Sequence, residues 1–135
     1  MWPFKKRPIP APVTEDGVTA RFSPNTGEWE FSIDDVDFTF DSPTFDTAAI
    51  QWAKSGLPII AALMPQMIAA AKDEVRDDVE NLINVESVEL LSVDLTEFPM
   101  EGYFGVNFAG DDSWGDLGVV VTIKDGAIFA VDAGD

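Results

Sequence analysis

The chain contains no histidine and no cysteine in 135 residues. Without histidine there can be no Ser-His-Asp or Cys-His relay and no imidazole-ligated metal. The usual general base near neutral pH is also missing, so acid–base work would fall on Asp, Glu, Lys or Tyr103. Without cysteine there are no disulfides, thiolate nucleophiles, Cys-bound zinc or iron–sulfur clusters. Positive charge is scarce as well. Lys and Arg number 8 against 25 Asp and Glu, a formal charge of −17. Such a field repels nucleic acid, whose binding rests on cations at phosphates. It favours solubility and encounter with basic partners. No G-x-G-x-x-G or Walker pattern is present, so no nucleotide cofactor is expected.

What is present is apolar bulk. The hydrophobic fraction is 46%, with ten Phe and four Trp, enough to build one globular core. The length fits one domain. Residues 1–16 read as a flexible, proline-rich basic tail. Lys5, Lys6 and Arg7 are followed by Pro8, Pro10 and Pro12 rather than by an apolar stretch. That pattern argues against a secretory signal and for a cytoplasmic protein. Residues 17–135 are expected to form a single α+β domain.

Three strands open that domain. VTARFS ends at the turn cluster Pro24-Asn25-Thr26-Gly27. In EWEFSI, Trp29, Phe31 and Ile33 alternate with Glu28, Glu30 and Ser32, the period of a half-buried strand. Asp34-Asp35 makes a second tight turn. VDFTF then alternates Val36, Phe38 and Phe40 with Asp37 and Thr39. Together these make a three-strand meander.

A helical region follows. Ser42-Pro43 resembles an N-cap with proline at the first helical position. Ser55-Gly56-Leu57-Pro58 should break or restart the helix. Beyond it an apolar stripe runs through Leu57, Ile60, Ala61, Met64, Met67, Ile68, Ala71, Val75, Val79 and Leu82 at helical spacing. Pro65 should kink this long central helix. Leu57 to Ala71 is shorter than the ~18–20 apolar residues that span a bilayer, so no membrane span is expected.

ESVELLSVDL, GYFGVNFA, LGVVVTIK and GAIFAVDA read as a C-terminal four-strand meander, the last pair joined at Asp125-Gly126. Gly102 and Gly105 suggest a bulge. The continuous run Val119-Val120-Val121 suggests a central strand covered on both faces. Strands, then helix, then strands predict α+β architecture: an antiparallel sheet packed on one long kinked helix.

Asp111, Asp112, Trp114 and Asp116 form the one distinctive loop, three carboxylates around a Trp. As a partner-binding site it offers an aromatic anchor among polar groups. Its carboxylates could also offer oxygens to a hard cation such as Ca²⁺, but the EF-hand pattern is not met. Gly115 is fifth rather than sixth from Asp111, and Thr122 stands where a closing Glu belongs. The adjacent pairs Asp34/Asp35, Asp77/Asp78 and Asp111/Asp112 do not encode the separated carboxylates of a glycosidase. No catalytic, metal or cofactor residue is assigned. Trp29, Trp52, Met64 and Met67 read as core.

Taken together, TGEWEFSIDD, the helix ending near ENLIN, the loop DDSWGD and the closing hairpin GVVVTIKDGAIFAVDAG resemble small bacterial domains of unknown function. Several of these are encoded beside toxins and classed as candidate immunity proteins. The resemblance spans Gly17 to Gly134. The late acidic loop of such families often carries a His, which this chain lacks, so no site is carried over. The resemblance implies a non-enzymatic bacterial interaction protein with an immunity-like role, and the charge implies a basic protein as its partner. The alternative is a small-ligand or carboxylate-based hydrolytic domain with a pocket between helix and sheet. Strand edges used for pairing would give a homodimer in place of a monomer.

Overall fold

The computed structural model describes residues 9–76 and 83–134. Lys5, Lys6, Arg7, the Asp77/Asp78 pair, Val79 and Leu82 lie outside the described residues. The fold is α+β, one eight-stranded sheet and one long helix. The strands are β1 (Val13–Glu15), β2 (Val18–Ser23), β3 (Glu28–Ile33), β4 (Val36–Phe40), β5 (Glu89–Asp94), β6 (Tyr103–Ala109), β7 (Gly118–Lys124) and β8 (Ala127–Gly134). The helices are α1 (Ala48–Arg76) and the single turn α2 (Phe98–Glu101).

Strand order in the sheet follows chain order, β1 to β8. Every neighbouring pair is antiparallel except β4 and β5, which run parallel through Phe38↔Val93 and Thr39↔Asp94. Parallel neighbours need a crossover connection, and α1 is that crossover. The sheet is therefore mixed rather than wholly antiparallel.

Short two-residue turns set the hairpins. Asp16-Gly17, Asp34-Asp35 and Asp125-Gly126 all hold both residues at positive φ. This is the turn geometry whose twist matches the flanking strands, and Asp and Gly tolerate it. The Asp34/Asp35 pair thus serves the backbone. The Asp16-Gly17 turn also corrects an expectation. It folds Val13–Glu15 back onto β2, pairing Val13 with Ala20, so the sheet begins inside the segment read as tail. The first group has four strands, not three.

Three further expectations change. The helix starts at Ala48, not at Pro43. The Asp46 carboxylate accepts from the Ala48 N–H at 2.9 Å, and the Asp46 carbonyl accepts from Ala49. A carboxylate over free N–H groups is the better cap. No break occurs at Gly56, and α1 runs through both Pro58 and Pro65. Gly56 is buried there, and the Phe104 ring lies where its Cβ would point, at 3.7 Å. Tertiary contact with β6 overrides local propensity.

The strand β7 is covered on one face only. Val119, Val121 and Ile123 are buried while Val120 is exposed. The irregularities in register fall at Leu90/Ser92 and Thr122/Ile123, not near Gly105. Gly102 instead ends α2 in the left-handed conformation, φ 74°.

The core lies between α1 and one face of the sheet. Trp29, Phe31, Phe38 and Phe40 face Ile50 and Ala53, and the buried set continues through Val106, Val121, Ile60, Met67 and Val75. Phe31 and Phe38 stack at 5.3 Å, while Phe45 meets Trp29, Phe31 and Phe40 edge-on or tilted. Each such side chain stabilises the fold by about 1.5–3 kcal/mol on full burial. Trp29 is buried and donates its indole N–H to the Ser42 carbonyl at 3.1 Å, so burial leaves no donor unpaired. By length and composition α1 is the one helix among the described residues that meets the measure of a membrane span. Its buried side is occupied by the sheet.

Candidate partner-binding site

Among the described residues, no layer of structure covers the second face of the sheet in its N-terminal half. Strand alternation dictates what stands there. With Trp29 and Phe31 turned inward, Glu28, Glu30 and Ser32 turn out. With Phe38 and Phe40 inward, Asp37 and Thr39 turn out. Pairing sets these in rows: Arg21 opposite Glu30, Glu30 opposite Thr39, and Ser32 opposite Asp37. The Ser32 hydroxyl donates to the Asp37 carboxylate at 2.5 Å. This face holds a shallow depression of about 720 Å³, lined by Arg21, Glu28, Glu30, Asp37, Thr39 and Leu91 among others.

Electrostatics mark Glu28 within it. Partial burial pushes its carboxyl above the ordinary value, and Asp94, Asp41 and Glu30 add like charge in the same direction. A Thr39 hydrogen bond opposes this without cancelling it. Glu28 thus sits among carboxylates of like charge, with Arg21 the one cation among the described residues that line the depression. A raised folded-state value makes the charged form unfavourable to folding. Stability from Glu28 is full below the unfolded carboxylate range and is lost as pH rises through its raised folded value. The expected result is that Glu28→Gln raises the denaturation midpoint at pH 7 and leaves it nearly unchanged at pH 3. Urea titrations of both chains at the two pH values check this.

The acidic loop between β6 and β7 is built differently from the expectation. Trp114 is 4% exposed and belongs to the core. Its indole N–H donates to the Asn84 carbonyl at 2.9 Å. Asp111 is a structural acceptor: one oxygen takes the Ser113 N–H at 2.9 Å and hydroxyl at 2.5 Å, the other the Asn84 amide at 3.0 Å. Asn84 in turn donates its backbone N–H to the Ser113 hydroxyl, and Ser87 receives the Asp111 N–H. The hydroxyl of Ser113 beside it, then Asn84, hold the Asp111 carboxyl below the ordinary range. The loop is a clasp onto the turn Asn84–Ser87. Of the four expected site residues, Trp114 is withdrawn from the surface, Asp111 is occupied, and Asp112 and Asp116 stay exposed. An anchoring indole is not available there.

Among the described residues no group of three or more acidic side chains is arranged to hold a metal ion. The interior between α1 and the sheet, lined by Phe38, Trp52, Gly56, Ile60, Val93 and Phe104, offers no volume to a water molecule. A groove of about 610 Å³ does open at its flank, between the β3–β4 turn and α1, and it is mostly apolar.

Alternation in EWEFSI and VDFTF already marked Glu28, Glu30 and Asp37 as outward. Their convergence into one depression was not legible, because it depends on strand register.

This geometry describes an α+β fold, one long helix on a mostly antiparallel sheet, with acidic side chains lining the depression over β2–β4. Comparison of the chain with family models, curated proteins and solved structures found no match.

Proposed function

We propose that this chain is a non-enzymatic bacterial interaction protein, immunity-like in role, that binds a basic partner protein on the acidic face of β2–β4. The observation that carries this reading is the group of like-charged carboxylates around Glu28 at the depression over β2–β4. Cationic side chains from a partner would relieve the like-charge repulsion that Glu28, Glu30, Asp41 and Asp94 now share. The net charge of −17 would steer such a partner over long range and raise its association rate more than its affinity. Asp112 and Asp116 add exposed charge at the sheet's end. The same sign excludes nucleic acid as the partner. The protein acts in the cytoplasm without spanning a membrane. In this reading the sheet is two antiparallel meanders carried on α1, with α1 bent at Pro65, where the missing N–H removes the bond to the Ala61 carbonyl.

A hexa-arginine peptide serves as the probe of the face. Calorimetric titration should show binding that weakens at least about tenfold between 50 and 300 mM salt. Glu28→Lys with Glu30→Lys should abolish it while circular dichroism stays native. Asp112→Asn with Asp116→Asn should change it far less. Binding that survives the first pair and is lost with the second would move the site to the loop and overturn the assignment.

A further inference from the structure

A second surface stands apart from the acidic face, and its argument does not depend on that reading. From Ser55 to Ala71 the helix α1 contains no charged residue, in a chain where 24% of residues are charged. Only 22% of its most apolar stretch is buried. The exposed positions Ser55, Pro58, Ala62, Pro65 and Ala69 recur every three or four residues and so form one straight stripe. Half-buried Ile59, Leu63, Met64 and Ile68 flank it. The apolar groove along Ile33, Val36, Leu57 and Met64 continues the same surface sideways. A contiguous apolar face of this kind on a highly charged protein marks an interface.

The chemistry of the face restricts its occupant. A helix lying on an anionic membrane carries Lys and Arg beside its apolar side. Here the flanking cations are already paired, Lys54 with Asp16, Lys72 with Glu86 and Arg76 with Asp73, and the chain as a whole, at −17, would be repelled. A basic partner gains nothing from a surface without charge. A second copy of this chain fits on two counts. Two bodies of −17 can approach only where neither presents charge, and this stripe is such a place. An antiparallel pairing is also self-complementary. A two-fold axis near Leu63 and Met64 sets Ala62 against Pro65, Pro58 against Ala69, and Lys54 against Asp73. Small side chains then meet at the crossing and opposite charges meet at both ends. Lys54 already holds Asp16 in its own chain, while Asp73 is exposed and pairs with Arg76 at 3.0 Å. The end contacts thus extend existing pairs into a network.

We propose that α1 forms an antiparallel two-fold dimer interface between copies of this chain through the stripe Ser55–Ala69. Sedimentation equilibrium of the full chain should show a dimer whose dissociation constant falls as salt rises from 50 to 500 mM, because screening removes repulsion between the acidic bodies. That sign is opposite to the one expected for the basic probe, so failure of either reading is visible separately. Ala62→Glu should raise the dissociation constant on the order of tenfold or more by setting like charges about the axis. Its melting temperature should stay near that of the parent diluted to monomer, since Ala62 is exposed. The absence of native cysteine gives a test of geometry. Under mild oxidation, Ala62→Cys should form an interchain disulfide. Ser55→Cys should not, since antiparallel copies hold those positions about 25 Å apart along the axis. Equal cross-linking of both variants would mean parallel packing and overturn the proposal. So would a monomer at 100 µM at every salt concentration, or recovery of the chain with phosphatidylcholine vesicles in place of a dimer.

Discussion

Trp114→Ala is expected to lower the stability of the fold by about 3–5 kcal/mol, the range for truncating a buried large aromatic side chain. For a chain of this length that shifts the melting temperature downward by roughly 10–20 °C. Two effects add. The indole is 4% exposed, so its removal leaves a cavity beneath the β6–β7 connection. Its N–H also satisfies the Asn84 carbonyl, which then loses that partner beside the equally engaged Ser87 hydroxyl. Trp114→Phe separates the two. It keeps most of the apolar contact and drops the hydrogen bond, so its expected cost is about 1–2 kcal/mol. Urea denaturation followed by circular dichroism measures both. If Trp114→Ala leaves the midpoint unchanged while weakening hexa-arginine binding, the indole is a surface anchor and the clasp described above is wrong.

Gly110→Ala is expected to cost about 1–3 kcal/mol or more through overpacking rather than through loss. A Cβ on Gly110 would overlap Nε1 and Cδ1 of Trp114 and Oγ of Ser87. Its φ is not in the left-handed region, so the requirement is for space and not for conformational freedom. Neither neighbour can withdraw cheaply. Trp114 is held by Asn84, and Ser87 donates to the Asn84 carbonyl at 2.7 Å while receiving the Asp111 N–H at 2.9 Å. This leads to a double-mutant cycle with a definite sign. Removing the indole relieves its share of the overlap and leaves only that with Ser87 Oγ, so Gly110→Ala with Trp114→Ala should cost less than the sum of the singles. Additivity within about 0.5 kcal/mol would show that Gly110 and Trp114 are not in contact.

Much of the fold was legible because its signals are periodic. Alternation in EWEFSI and VDFTF located β3 and β4 and their inward faces, and Asp125-Gly126 located the last hairpin. What misled were residues whose local preference loses to a distant contact. Gly56 and Pro58 advertise a helix break, yet Phe104 packs over Gly56 and α1 continues. Val120 sits in an unbroken apolar run, yet its side chain is exposed. Pro-rich composition concealed β1, whose existence depends on the Asp16-Gly17 turn and on β2 as a partner. In the acidic loop, composition read Trp114 as a partner-binding anchor, whereas it is buried in the core. Composition could not show that Asn84 lies within reach, because those residues are far apart in the chain.

The sequence by itself determined the sign of the surface, the absence of thiol and imidazole chemistry, and the inward or outward setting of the residues in β3 and β4. These follow from residue type and from the two-residue period of an extended chain. Only the tertiary structure decided that β4 and β5 lie side by side and parallel, that Glu28, Glu30 and Asp37 share one concavity, and that Trp114 is core. Each of those depends on which distant segments become neighbours, and that is settled by packing α1 across the whole sheet rather than by any local pattern.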